Sequence, residues 1–122
     1  MQYTDLTVYK KSLEVNSELK TKILTMSQID RSLKDQLRRA SNSITLNIAE
    51  GSSRFSPADR KNFFVIARGS AFECASVLDL IEDSDKKDFL YIKNLFEEIS
   101  KMLFKMITNL KNQIDAKKWF NL

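Results

Sequence analysis

Residues 31–51 read RSLKDQLRRASNSITLNIAEG, and this stretch decides the fold of the 122-residue chain. At about 100° per residue, its apolar side chains gather within about 80° of arc on one side of a helix. They are Leu33, Leu37, Ala40, Ile44 and Ile48. A stripe of this width predicts an amphipathic helix that buries one face in a core.

Three more periodic segments accompany this one, separated by short polar breaks. Gly51 is placed to end the second helix, Ser56 and Pro57 to begin the third, and Asp85 to begin the fourth. The predicted helices lie near residues 4–27, 31–51, 57–82 and 86–118. Because apolar stripes on helices joined by short loops face one another, the sequence predicts an all-α, antiparallel up-down-up-down four-helix bundle in a single domain, residues 1–122.

Composition excludes most enzyme classes. The chain has no histidine and a single cysteine, Cys74, which excludes Ser-His-Asp and Cys-His catalysis, an internal disulfide and a multi-cysteine zinc site. Cys74 lies on the core stripe of the third helix, where we interpret it as a small apolar filler. We expect no enzymatic activity, no cofactor and no metal. A start without a signal-peptide pattern, and no apolar run near ~18 residues, predict a soluble cytoplasmic protein without a membrane partner.

Basic residues are concentrated in the middle of the chain. The whole chain has a net charge of +4, whereas residues 31–68 hold eight Lys and Arg against three Asp and Glu, a net +5. Such a cluster can neutralise phosphates along a nucleic-acid backbone without reading its sequence. The alternative is a solvated helix face, and both interpretations stay open. The candidate nucleic-acid-binding residues are Arg31, Lys34, Arg38, Arg54, Arg60, Lys61 and Arg68.

A polar stripe runs beside the core face of the second helix, and small polar residues flank that of the third. Glu50 and Glu73 could form an acid–base couple, but no histidine or metal-site partner accompanies them. We favour a buried hydrogen-bonded network that fixes helix register or subunit contacts, in which Arg39 pairs with Glu73 or Glu50 and small residues allow close helix approach. The predicted network consists of Arg39, Ser43, Asn47, Glu50, Gly69, Ser70 and Glu73.

Apolar residues also lie where a monomer would show polar ones. They occupy two opposite sides of the first helix and the outer face of the third. A helix that is apolar on two sides is usually buried on two sides, which predicts a homo-oligomer. The predicted oligomer interface consists of Val8, Val15, Leu19, Val65 and Phe72.

Trp119 and Phe120 follow Lys117 and Lys118 at the end of the fourth helix. Aromatic side chains beside lysines can stack on unpaired bases. They can also dock a helix end against the bundle, and this is the alternative that we favour.

The second and third helices carry recognisable motifs. Residues 36–44 read QLRRASNSI, residues 47–51 read NIAEG, and residues 66–70 read IARGS, with Arg54, Phe63, Phe64 and Glu73 at fixed spacings around them. This pattern resembles the signature of the 23S rRNA intervening-sequence protein family. The resemblance implies a small antiparallel four-helix bundle that assembles as a ring-like homopentamer and has no established enzymatic activity.

The chain is also similar to the accessory variability proteins of diversity-generating retroelements. That resemblance implies a basic pentameric barrel that engages a reverse transcriptase and nucleic acid. The first hypothesis is therefore a non-enzymatic homo-oligomer that binds RNA or DNA phosphates as an accessory or scaffold of a nucleoprotein assembly. The second is a protein-interaction scaffold whose ring presents a surface to a partner protein, such as a reverse transcriptase, without binding nucleic acid.

Overall fold

The computed structural model describes residues 2–81 and 86–120, and this part of the chain is helical without strands. A short 3-10 turn, Tyr3–Asp5, precedes four α-helices. They are α1 (Thr7–Lys22), α2 (Arg31–Ser53), α3 (Pro57–Leu80) and α4 (Lys86–Phe120). Each helix packs against two others, in the cyclic order α1, α2, α3, α4. The predicted all-α fold of four helices is confirmed.

The helix ends follow local backbone chemistry. The side chain of Asp30 caps α2 by accepting a hydrogen bond from Ser32 N at 2.8 Å, and Ser56 caps α3 by accepting from Asp59 N at 3.1 Å. Both caps satisfy an N–H that has no partner within its own helix. The predicted start of α3 at Ser56 and Pro57 is confirmed. The predicted cap Asp85 lies outside the described residues.

Two predicted helix ends are wrong. The first helix stops at Lys22 rather than near residue 27, because the backbone of Ile23 leaves helical geometry. The chain then turns toward α2, and Ile23 and Ile29 at the two ends of this turn are both buried in the core. The second helix continues through Gly51 to Ser53, and no described glycine has a positive φ. Gly51 therefore serves another purpose. A Cβ at this position would lie 2.7 Å from Cε1 of Phe64, so the glycine lets α2 and α3 approach closely at this end.

The core lies between the four helices and uses the stripe predicted on α2, where Leu37, Ile44 and Ile48 are fully buried. On α3 the residue that faces inward at this level is Phe64, whereas Phe63 is only half-buried. The other large, fully buried side chains are Leu19, Ile23, Ile92, Phe96, Ile99, Leu103, Val8 and Val15.

Three residues of the predicted oligomer interface belong to this core. Val8, Val15 and Leu19 are at most 2% exposed, so assigning them to a surface between subunits is wrong. Their spacing of seven and then four residues places them on one side of α1. Because both sides of this helix are apolar, the sequence pattern alone does not decide which side faces the bundle. The opposite side carries Leu13, which is exposed.

Candidate functional site

The first turns of α2 carry one group of the candidate cations. Arg31, Lys34 and Arg38 line an open groove of about 800 Å³ at the α1–α2 turn, together with Asp35 and Arg39. Lys34 Nζ donates to the carbonyl oxygen of Met26 at 2.9 Å, and Arg38 forms an ion pair with Asp35. Lys34 thus closes the turn, while Arg31 and Arg38 are exposed.

The α2–α3 turn carries a second group. The guanidinium of Arg54 pairs with Glu50 at 3.1 Å and lies over the ring of Phe63, 4.8 Å from its centroid. Arg60 Nε donates to the carbonyl oxygen of Arg54 at 2.7 Å, and Lys61 follows at the next position. Because α2 separates this turn from the first group, Arg54 lies roughly 24 Å along the helix axis from Arg38 and roughly 34 Å from Arg31.

Arg68 lies in a third place, on the side of α3 that faces α4. Its guanidinium sits between two aromatic rings, 4.8 Å from the centroid of Phe72 and 5.2 Å from that of Phe104. These residues line a groove of about 440 Å³ between the two helices. The seven candidate cations therefore occupy both ends of the bundle and one side, rather than a single continuous ridge.

The predicted polar network forms only in part. Ser70 Oγ donates to Ser43 Oγ at 2.9 Å, and Asn47 Nδ2 donates to the same oxygen at 3.0 Å, which joins α3 to α2. Arg39, Glu50, Gly69 and Glu73 are exposed and lie outside this cluster.

The pairing predicted for Arg39 is wrong. Its Nε donates to the carbonyl oxygen of Asp35, and Glu50 pairs with Arg54. The contact between Ser43 and Ser70 places Glu73 at about the level of Arg39, but both side chains point to solvent instead of toward one another's helix.

A second polar network, which the sequence analysis missed, joins α1 to α2. Ser41 Oγ donates to Asn16 Oδ1 at 2.6 Å, and Asn16 Nδ2 donates to Thr45 Oγ1 at 2.9 Å. Thr45 Oγ1 donates to Ser12 Oγ at 3.0 Å, and Ser12 Oγ donates to the carbonyl oxygen of Tyr9 at 2.6 Å. The sequence contained a signal for this network: Ser12 and Asn16 lie four residues apart on α1, and Ser41 and Thr45 lie four residues apart on α2. Such spacing puts each pair on one face.

The outer face of α3 is apolar. Val65 is 47% and Phe72 is 51% exposed, so both lie on the outer face of α3, and their place in an oligomer interface stays a prediction. Gly69 lies between them at helical spacing, and within the described part of the chain a Cβ built there would meet no side chain or other helix within 4 Å. On the other side of the bundle, Leu13 and Leu46 line a groove of about 500 Å³ between α1 and α2.

The single thiol is enclosed by the core. Cys74 is fully buried, and this burial raises the pKa of the thiol far above its usual value, with a smaller contribution from the charge of Glu73. A thiol held in its neutral form is a poor nucleophile. Within the described residues, no group of three or more Cys, Asp and Glu is arranged to hold a metal ion. None of the described helices has the length and apolar character needed to cross a membrane.

Comparison with known proteins identifies the family. The family model described as 23S rRNA-intervening sequence protein matches residues 4–105. The chain belongs to this family. It also resembles a crystal structure of a protein of unknown function from the S23 ribosomal protein family of Bacteroides thetaiotaomicron, with 31% sequence identity and a TM-score of 0.76. The similarity covers 83% of this chain and 95% of that one. No curated protein matches the sequence significantly. Family membership confirms the resemblance drawn from the motifs in α2 and α3.

Proposed function

We propose that this family member is a non-enzymatic homo-oligomer that binds the phosphate backbone of RNA or DNA and serves as an accessory or scaffold of a nucleoprotein assembly. The observation that carries the proposal is the position of the +5 segment, residues 31–68. Its cations lie on helix faces and turns outside the core, so phosphates can approach them. Contacts of this kind provide affinity without sequence specificity. The cytoplasmic location expected from the sequence stays a prediction.

Two apolar surfaces favour assembly into a closed ring. One lies between α1 and α2, around Leu13 and Leu46, and the other on the outer side of α3 and α4, around Phe72 and Phe104. In the cyclic helix order these surfaces face opposite directions. Two different surfaces on opposite sides favour head-to-tail contacts, and such contacts generate rings when the rotation closes. We propose the homopentamer that the family resemblance implies.

Gly69 provides a second argument for the proposed assembly. A glycine in the middle of a helix lowers helix stability by about 1 kcal/mol relative to alanine. Among the described residues, no atom outside the adjoining backbone of α3 lies within 4 Å of its Cβ position, so the described packing within the subunit does not require glycine. Its place between Val65 and Phe72 would let a helix of a second copy approach the backbone of α3. Small residues at helix contacts act in this way.

The nucleic-acid proposal is tested by fluorescence anisotropy with a labelled RNA and a DNA duplex of equal length, over a series of salt concentrations. We expect log affinity to fall linearly with log salt, with a slope of about −0.9 per neutralised phosphate on duplex DNA. Reversal of Arg31, Lys34 and Arg38 to Glu should weaken binding equally for all sequences and flatten the slope.

A matched control carries the same change of charge elsewhere. Reversal of the exposed Lys10, Lys87 and Lys105 to Glu lowers the net charge equally but leaves the start of α2 intact. If both triple variants lose the same affinity, general charge rather than this surface attracts the nucleic acid. If neither loses affinity while both remain folded and assembled, the assigned residues are wrong. Far-UV circular dichroism and light scattering establish the fold and the mass of each variant.

The assembly proposal is tested by light scattering and sedimentation. We expect a particle of five times the 14.2 kDa chain mass. Phe72→Lys and Leu46→Lys should each dissociate it, since a buried unpaired charge at either surface is costly. The control is Leu90→Lys, which adds the same charge at another exposed leucine. A monomeric wild-type protein at micromolar concentration would overturn the proposal.

The second candidate is a scaffold for a partner protein, such as the reverse transcriptase implied by the resemblance. The exposed Val65 and Phe72 favour it, because apolar side chains bind proteins rather than phosphates. A pull-down from the native host after nuclease digestion separates the two candidates. Partners that survive digestion and are lost with Phe72→Lys support the protein scaffold. Partners that disappear with the nucleic acid support the first proposal.

A further inference from the structure

Three chain segments meet at one end of the bundle. They are the 3-10 turn before α1, the α2–α3 turn and the last third of α4, and they enclose a groove of about 440 Å³. Tyr3 lines it from the 3-10 turn, Ser52 from the last turn of α2 and Arg60 from the start of α3, and α4 contributes Asn109 and Gln113. We call this end of the bundle the overhang end, because α4 continues past the other helices there. It comprises the 3-10 turn, the α2–α3 turn with the helix ends on either side of it, and the last third of α4.

The overhang consists of the residues of α4 beyond Leu110. The helix has 35 residues against 24 in α3, and Leu110 is buried beside the start of α3. From residue 111 to residue 119 the side chains are exposed, apart from the half-buried Ile114. Nine residues of helix extend about 14 Å. Trp119, near the far end, is 76% exposed, so the expected docking of this ring against the bundle is wrong.

A second exposed aromatic side chain lies in the α2–α3 turn. Phe55 is 98% exposed and thus contributes nothing to the core. The residues around it are held in place: Arg54 stacks on Phe63, and Arg60 hydrogen-bonds to the backbone of Arg54. A fully exposed aromatic ring on an ordered turn is therefore presented to solvent beside two guanidinium groups.

The charge of this end matches a polyanion. The cations of the α2–α3 turn, the start of α3 and the overhang are Arg54, Arg60, Lys61, Lys111, Lys117 and Lys118. The acidic residues nearest to them in sequence are Glu50, Asp59 and Asp115. Insertion into a lipid surface would need a continuous apolar face, whereas the overhang carries polar side chains on every side. Interspersed aromatic and basic side chains are instead typical of proteins that bind single-stranded nucleic acid.

We propose that the overhang end binds an unpaired stretch of RNA or DNA, with bases stacked on Phe55 and Trp119 and phosphates near the surrounding cations. This inference rests on the proposed binding of nucleic acid and names its preferred form. Bases stacked inside a duplex offer no free face to an aromatic ring, so stacking selects single strands. In the groove, Tyr3 offers a further ring, and the amides of Asn109 and Gln113 offer donors and acceptors to a base edge.

Trp119 makes the test direct, because it is the only tryptophan in the chain. A fluorescently labelled oligothymidine or oligouridine of about 12 nucleotides is titrated with the full chain, and anisotropy reports binding. In parallel, intrinsic fluorescence of the protein reports the environment of Trp119. We expect quenching of Trp119 that saturates together with the anisotropy, and no comparable quenching by a duplex of equal length.

Three variants and a control sharpen the result. Phe55→Ala and Trp119→Ala should each weaken single-strand binding about tenfold, while duplex binding changes less than about twofold. Trp119→Phe keeps an aromatic face and should bind nearly as tightly as the wild type. The control is Tyr91→Ala, which removes an exposed ring near the start of α4 and should change neither affinity.

Each alternative outcome is distinct. Binding without quenching, with Phe55→Ala and Trp119→Ala unchanged, overturns stacking but leaves backbone binding standing. Failure of the wild type to bind either strand form at low salt overturns the proposed function and this inference together. Quenching or a blue shift with phosphatidylserine vesicles but not with oligonucleotides assigns the end to membranes and overturns the inference.

Discussion

Helices α2 and α3 have nearly the same length and pack against each other, yet they distribute apolar residues differently. The core stripe of α2 faces inward, and cations lie at both ends of the helix. In contrast, α3 is apolar inside, at Phe64 and Ala71, and outside, at Val65 and Phe72. A single bundle leaves one large apolar side chain of α2 exposed, Leu46, whereas it leaves several exposed on α3. This difference supports the proposal that the outer face of α3 meets another protein surface, whereas the ends of α2 suit the proposed binding of a polyanion.

The two glycines of the chain mark this contrast. Gly51 lies at the inner contact of α2 with α3, where its missing Cβ makes room for Phe64. Gly69 lies on the outer face of α3, where a Cβ would meet no side chain or other helix of residues 2–81 and 86–120 within 4 Å. Glycine at position 51 thus allows two helices of the subunit to pack closely, whereas glycine at position 69 leaves space on the surface of the subunit. Substitutions at both positions test the comparison.

The largest effect is expected for Gly51→Val. Valine places atoms within 3 Å of the Phe64 ring and about 3.1 Å from Cβ of Phe63, so the two helices must separate or the ring must move. We expect a loss of about 3 kcal/mol in the free energy of unfolding, measured by urea denaturation. Ser53→Val introduces the same side chain at an exposed position of the same helix end and should cost less than about 1 kcal/mol. Equal losses for the two variants would contradict the close approach at Gly51.

The next effect is expected for Asn16→Leu, which removes the centre of the network between α1 and α2. Leucine is of similar size but leaves the buried hydroxyl of Ser41 without its acceptor, and it removes the donor to Thr45, which keeps only its bond to Ser12. We expect a loss of about 2 kcal/mol, the usual consequence of leaving buried polar groups unpaired. Asn94→Leu makes the same exchange at an exposed position on α4 and provides the baseline. A loss no greater than in this control would mean that the network contributes little to holding α1.

Hydrophobic periodicity and helix-capping residues were sufficient to predict the four helices of the fold. The stripe on α2 and the cap at Ser56 depend on residues within one helix turn of each other, so periodicity and capping chemistry were sufficient. Errors arose where two arrangements satisfy the same local pattern. Both sides of α1 are apolar, and only packing against the other helices decides that Val15 faces inward and Leu13 outward.

The candidate site was less predictable, for a physical reason. Charge clustering in the sequence identified the cations, but their grouping depends on the length of α2, which separates Arg38 from Arg54. The exposure of Phe55 and Trp119 is a property of the folded surface, since the same aromatic residues could have been buried in another packing. Hydrogen-bond partners between helices, such as Asn16 and Ser41, likewise depend on the register of the helices.

A smaller effect is expected for removal of the helix caps. Ser56→Ala leaves the N–H of Asp59 without its acceptor and should cost about 1 kcal/mol, and Asp30→Ala should cost a similar amount at the start of α2. Thermal unfolding measures both losses. Ser76→Ala, at an exposed position inside α3, should be neutral or slightly stabilising. If Ser56→Ala behaves like this control, the side chain does not cap α3 in solution.

The smallest effect on subunit stability is expected for Gly69→Ala. This variant should raise the free energy of unfolding, whereas the preceding variants lower it. Alanine favours the helix by about 0.5–1 kcal/mol and meets no atom of the subunit, so the monomer should unfold at higher urea concentration. If α3 meets a second copy here, the same methyl group obstructs that contact, and Gly69→Leu obstructs it more. The proposal therefore predicts a more stable subunit in a weaker assembly, measured by urea denaturation at low protein concentration and by sedimentation at high concentration. A stabilised subunit with an unchanged assembly would place the contact elsewhere on the surface, because only a close neighbour across the interface turns a favourable helix substitution into an unfavourable one.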